Sequence, residues 1–286
     1  MTTAQFIGLA INASMFLIVF ALGLNATLDH VTYLFRRPGL LFRSILAMNI
    51  VMLAFALAII LIFQPSAPIK IALVALALSP VPPILPTKEI KAGGSRAYTL
   101  GLLVAAAIVS IVLVPLALEF IGREAGISMH MPIEKVTSVV LLSVIAPLIL
   151  GVLLRRFMPD FARRIAHPVS IFATILLVAA FLPVLFVVAP KFWALVGTGV
   201  LLSLVGFTLV GVTVGHLLGG PDPDDRTVLG LAAGTRHPGI AMAIASINFP
   251  EEKSVMAIVL FHLILGAIVS LPYVKWRTRL HAATTR

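Results

Sequence analysis

The hydrophobic positions of this chain form long unbroken runs and do not alternate with polar ones. Apolar stretches occupy roughly residues 6–24, 40–63, 69–92, 97–121, 136–154, 167–189, 192–218, 226–249 and 253–275. Each is about as long as the helix that crosses a hydrocarbon layer, for which about 20 residues are needed. A membrane β-barrel would instead show ten-residue segments of alternating character. The pattern therefore predicts an all-α polytopic membrane protein with nine transmembrane helices. The loops between the runs are too short to hold a soluble domain. An odd number of spans would place the two termini on opposite sides.

Composition agrees with this pattern. Hydrophobic residues make up 60% of the 286 residues, charged ones 11%, and mean hydropathy is +1.12. Soluble domains carry about 25% charged residues. The formal net charge of +10 first suggests nucleic acid, but the basic residues gather in a few loops between the runs. With the N-terminus outside, the inner segments hold Arg36, Arg37 and Arg43, then Lys88, Lys91 and Arg96, then Arg155, Arg156, Arg163 and Arg164, then Arg226, then Lys275, Arg277, Arg279 and Arg286. The outer loops hold only Lys70, Arg123, Lys135, Lys191 and Lys253. The positive-inside rule reads this as an inner-membrane protein with the N-terminus outside and the C-terminus cytoplasmic, and with no nucleic-acid partner. There are no cysteines, so disulfides and thiolate chemistry are excluded. The first run has no basic residue ahead of it and flows into a basic loop, so it is expected to remain as the first span.

Two runs are anomalous. In the third, Pro80, Pro82, Pro83 and Pro86 fall within seven residues and lead into Thr87, Lys88 and Glu89. Each proline removes a backbone donor and clashes with the preceding turn, so a helix must stop there. The eighth is interrupted at mid-span by Gly234, Thr235, Arg236, His237, Pro238 and Gly239. Single prolines such as Pro115, Pro147 and Pro183 read as kinks only. Broken helices at membrane depth are tolerated where they line a cavity or lie buried in protein. Two of them at matching places in the two halves point to an inverted-repeat transporter. The chain is then one transporter domain over 1–286, with a first repeat at about 1–125 and a second at about 130–280. An inverted repeat needs an odd number of spans per unit, so five plus five with the first span missing gives nine.

Three stretches resemble the bile acid:sodium symporter family: FALGLNATLDHVTYLFRRPGLL at 20–41, the Pro-rich break with the segment Ala92–Thr99, and GTRHPGIAMAIASINFP at 234–250. His262 also falls where many members carry a histidine. The resemblance implies a core domain and a panel domain, two broken helices crossing in the core, and an organic anion bound in a cavity facing the crossing. It also implies that most oxygen ligands of two sodium ions are replaced. The Ser-Asn pair of the first break becomes Leu85 and Pro86. The Glu of the second break becomes Ala232 and its Gln becomes Arg236. A Gln on a preceding core helix becomes Met48, with Asn49 beside it. Only Thr99 keeps an oxygen. A hard cation needs several oxygen ligands, so these replacements argue against sodium coupling, and no metal or other cofactor is expected.

A charge inside a span costs about 2.5–3.5 kcal/mol even on the mildest scale and reads as functional by default. The candidate substrate-binding residues are Pro83, Pro86, Thr87, Lys88, Arg236, His237 and Asn49. The candidates for ion or proton coupling are Glu89, Thr99, His237 and His262. For Lys88, Glu89 and Lys91 the alternative is snorkelling to the membrane face. For His262 and His237 it is a structural role. The pair Gly211 and Gly215 reads as helix packing.

The expected activity is secondary active transport of a small, carboxylate-type organic anion across the inner membrane by alternating access. The alternative is a sodium-independent or proton-coupled exporter or uniporter of the same fold, with Lys88 and Arg236 in place of the ions. The spans hold no Asp, no HExxH and no GxSxG, so an intramembrane enzyme is not expected. The expected partners are the organic anion and the lipid bilayer, with no obligatory protein partner.

Overall fold

A computed structural model describes residues 3–195 and 199–284, and these hold helices and no strand. In chain order the helices are α1 (Thr3–Leu24), α2 (Leu28–Thr32), α3 (Pro38–Ile45), α4 (Met52–Phe63), α5 (Ala67–Leu78), α6 (Leu85–Lys91), α7 (Arg96–Ala125), α8 (Ile133–Val140), α9 (Ala146–Phe157), α10 (Pro159–Leu195), α11 (Val200–Leu218), α12 (Pro223–Gly234), α13 (Pro238–Asn248), α14 (Ser254–Val269) and α15 (Leu271–Thr284). Two π-helical turns, Leu46–Val51 and Leu141–Ile145, join α3 to α4 and α8 to α9, making one continuous rod of each pair. Among the described residues, seven helical rods are long and apolar enough to cross a membrane. The two anomalous runs are the shorter pairs α5–α6 and α12–α13.

Proline position decides which helices stop. α7 continues through Pro115, and α10 through Pro168, Pro183 and Pro190. In hydrocarbon a freed carbonyl has no water to turn to, so a helix around one isolated proline keeps the rest of its ladder. α10 accordingly runs from Pro159 to Leu195, longer at both ends than the apolar run 167–189. Pro147 sits in the first turn of α9, just after a π turn.

The helices form two bundles. In the smaller one, α1 packs against α9 and α10. Gly23 and Gly151 let α1 and α9 touch backbone to backbone: a Cβ at Gly23 would lie 2.6 Å from the Leu148 carbonyl oxygen, and one at Gly151 would strike Phe20. The outer face of α10 shows Ile171, Phe172, Ile175, Leu182 and Phe186, a surface suited to lipid. The larger bundle holds α3–α4, α5–α6, α7, α11, α12–α13 and α14 around the main apolar core. There Gly211 brings α11 onto α12, where a Cβ would stand 2.5 Å from the Ala233 oxygen, and Gly215 does the same at Leu229. The Gly211–Gly215 pattern therefore packs helices within the chain. The bundles meet over an apolar patch of Val19, Ala26, Leu100, Val104, Leu148 and Val152, through α8, whose Val136 and Val140 join the main core beside α7, and where Phe192 of α10 stacks on Phe261 of α14 at 4.9 Å.

Polar bonds close both ends of the larger bundle. At the end away from the arginine-rich loops, the His130 N–H donates to Asn248 Oδ1 at 2.7 Å. At the arginine-rich end α15 folds under α12. Arg277 donates from Nε to Thr227 Oγ1 and from Nη2 to the Pro223 oxygen, both at 2.7 Å, and the Tyr273 hydroxyl donates to the Arg226 oxygen at 3.1 Å.

Gly151→Val forces a side chain into the α1 backbone. It is expected to cost about 1–3 kcal/mol, the usual penalty for overpacking, and to lower the melting temperature in detergent. Gly8→Val, at a position with nothing within 4 Å, leaves the melting temperature unchanged in the same assay.

Candidate functional site

The first break begins where α5 ends at Leu78. Ser79 turns extended, with φ −75° and ψ 144°, and its hydroxyl donates to the Leu76 oxygen at 2.9 Å. Pro80, Pro82 and Pro83 are buried and carry the chain to Leu85, where α6 starts with Pro86 in its first turn. Proline suits that position because first-turn N–H groups have no helical partner. The second break begins after Gly234 with Thr235 extended, and α13 starts at Pro238. The Nδ1 atom of His237 caps α13, accepting from the Ile240 N–H at 3.4 Å. The backbone N–H of His237 donates to the Pro80 carbonyl at 2.9 Å. That bond joins the two breaks, with α13 packed on α5 and α12 on α6.

Arg236 is 1% exposed. Its Nη2 donates to the Met48 carbonyl at 2.5 Å. Met48 lies in the π turn Leu46–Val51, where the shifted backbone ladder makes a carbonyl available to a side chain. The guanidinium carbon stands 5.8 Å from the Phe207 ring centre, and His262 meets the same ring edge-on at 5.5 Å. Nε and Nη1 of Arg236, both ring nitrogens of His262 and Nε2 of His237 are buried without a hydrogen-bond partner. Among the described residues no carboxylate pairs with Arg236. The site is thus rich in donors and poor in acceptors.

The charges of the first break face elsewhere. Lys88 is half-buried and donates from Nζ to Ser270 Oγ at 2.6 Å, at the α14–α15 junction. Glu89 is 1% exposed, and its carboxyl group faces the buried Thr99 hydroxyl on α7, so the fold brings these two candidates together. Gly94 lets this seam close, since a Cβ there would meet the Glu89 carbonyl and Val228, each at 2.8 Å. Lys88 and Arg236 therefore take hydrogen-bond partners at different places, Ser270 and Met48. Asn49 is half-buried on the π turn.

A cavity of about 160 Å³ lies between the bundles, toward the arginine-rich end. α1 contributes Ala21, Leu22 and Asn25, α6 contributes Thr87 and Lys91, α7 contributes Arg96, and α10 contributes Ser170. Of the residues singled out from the sequence as substrate-binding, it holds Thr87. Asn25 and Arg96 lie in the stretches that carry the family resemblance but, like Ser170, were not singled out as site residues, because the three become neighbours only when α1 and α10 close on α6. Lys91 reads from sequence as a snorkelling lysine, and in the structure it lines this crevice. A second cavity, of about 270 Å³, lies beside the end of α9 next to Thr27, Arg155 and Arg156.

At the same end, ahead of the apolar stretch of α12, Asp225 is 4% exposed. Burial pushes its carboxyl up to about 6, and Asp222 pushes the same way, while Arg37 and Ser95 oppose them.

The family model described as Sodium Bile acid symporter family matches residues 13–194. The matched segment takes in the first break and the π turn at Met48 and stops before the second break. A comparison with curated proteins gives no match.

Asp225 holds its proton more tightly folded than unfolded, so its contribution to stability falls as pH rises from about 3.8 to about 6 and stays low above that. Asp225→Asn is expected to remove that part of the fall, raising the melting temperature relative to wild type at pH 7 but not at pH 4.

Proposed function

The chain belongs to the sodium bile acid symporter family, a family of membrane transporters, and on that premise we propose that it carries a small organic anion of carboxylate type across the cell inner membrane by alternating access. The observation that carries this reading is the crevice between the bundles. Lys91 and Arg96 supply positive charge there, and Asn25, Thr87 and Ser170 supply hydrogen bonds. A fixed guanidinium fits a carboxylate because its planar donor fork matches two oxygens.

In this reading α1, α8–α9 and α10 form the panel, and the other rods form the core. The chain spans the membrane nine times with its N-terminus outside, and the repeats at about 1–125 and about 130–280 are inverted. The two breaks fit the reading because irregular backbone at membrane depth occurs where a transporter binds its cargo. The crevice lies toward the arginine-rich end, which in this reading faces the cytoplasm. Transport without sodium is a second reading, and the buried Arg236 favours it.

Melting of the purified protein against a panel of organic acids tests the proposal. An acid that binds the folded state stabilises it by about 2.7 kcal/mol at a hundredfold excess over its Kd. The expected result is stabilisation by at least one monocarboxylate or dicarboxylate, with affinity about tenfold weaker, or about 1.4 kcal/mol, in each of Lys91→Gln and Arg96→Gln. Equal stabilisation by the matching neutral amide would overturn the anion reading.

A further inference from the structure

We propose that Arg236 is a tethered cation for the crossing: its guanidinium stands beside the Met48 carbonyl where a free metal cation would otherwise be bound, so the crossing assembles without sodium. The inference deepens the transporter reading, on which only its uptake experiment rests.

The crossing calls for positive charge. α5 ends at Leu78 and α12 at Gly234, so two helix C-termini bring their carbonyl ends into the breaks. Each carries roughly half a negative charge, and half-helix C-termini with unwound carbonyls are where such carriers hold cations. The Met48 carbonyl, on a π turn, adds another acceptor. Arg236 reaches this carbonyl from the second break, fully buried and with no carboxylate beside it among the described residues.

A sodium ion does not fit the same place. Beside the guanidinium stand the Phe207 ring, the His262 imidazole and the Met48 carbonyl. The Thr208 hydroxyl already donates to the Leu204 oxygen at 3.0 Å, and the Pro80 carbonyl already accepts from His237. A hard cation needs several oxygens at once, and the Met48 carbonyl already accepts from Arg236. A metal ion would also lie against a like charge. Lys88 does not share the role, because its ammonium is bonded to Ser270.

The test melts the purified full chain in sodium chloride and in choline chloride at equal ionic strength. Wild type is expected to melt at the same temperature in both. Arg236→Ala is expected to melt lower in both, and added methylguanidinium should restore the variant while leaving wild type unmoved. Arg236→Lys, which keeps a tethered charge, should fall between them. A higher melting temperature for wild type in sodium than in choline overturns the proposal. So does an Arg236→Ala variant that melts like wild type, or one that sodium restores and methylguanidinium does not. Should Arg236→Ala fail to fold, the wild-type comparison and Arg236→Lys still decide. In proteoliposomes, uptake of an acid that stabilises wild type should be equal in the two salts. Uptake that requires sodium overturns the tethered cation and leaves the transporter reading standing. Absence of uptake of any organic acid in either salt sinks the transporter reading and leaves the melting result intact.

Discussion

The hydrogen bond from the His237 N–H to the Pro80 carbonyl holds the centre of this structure together. In hydrocarbon an unpaired peptide group is expensive, and a broken helix creates several at once. Here each break supplies what the other lacks. The proline-rich break has lost donors and keeps acceptors, whereas the Thr235–His237 break still has N–H groups to give. Pairing them lets irregular backbone persist among buried side chains. Everything around the crossing follows from that pairing, including the packing of α13 on α5 and of α12 on α6.

Much of this architecture is legible in the sequence, because lipid imposes simple rules. Run length gives the rods, and the cluster Pro80–Pro86 gives the first break without ambiguity. Arg236 stands out because a charge at mid-span has few explanations. Isolated prolines are legible too, since α7 continues through Pro115 and α10 through Pro183, but the extension of α10 beyond both ends of its apolar run is not. The crevice could not be read at all. Asn25, Arg96 and Ser170 converge only through the packing of separate bundles. The π turn at Met48 has no sequence signature either. Its role emerges only because a guanidinium from nearly two hundred residues further along the chain bonds to it.

Glycine distribution shows how the two bundles differ. Gly23 and Gly151 close the α1–α9 contact, and Gly211 and Gly215 close the α11–α12 contact. Between lipid-embedded helices there is no hydrophobic drive to associate, so close backbone approach supplies the van der Waals attraction. Both contacts lie within a bundle. The joint between bundles is made by side chains instead, the aliphatic patch of Val19, Ala26, Leu100, Val104, Leu148 and Val152 and the stacked pair Phe192 and Phe261.

Polar bonds tie one half of the chain to the other, among them Lys88 to Ser270, Arg236 to Met48, and His237 to Pro80. This reciprocity constrains biosynthesis. When a ribosome has delivered only the first half, the carbonyls of Met48 and Pro80 and the ammonium of Lys88 already lie in the bilayer, while their partners have not been made. The nascent chain must carry these polar defects, shielded by an insertase or by water, until the stretch from Arg236 to Ser270 follows. A chain truncated before Arg236 would keep them exposed in the membrane, the kind of lesion that membrane quality-control proteases recognise.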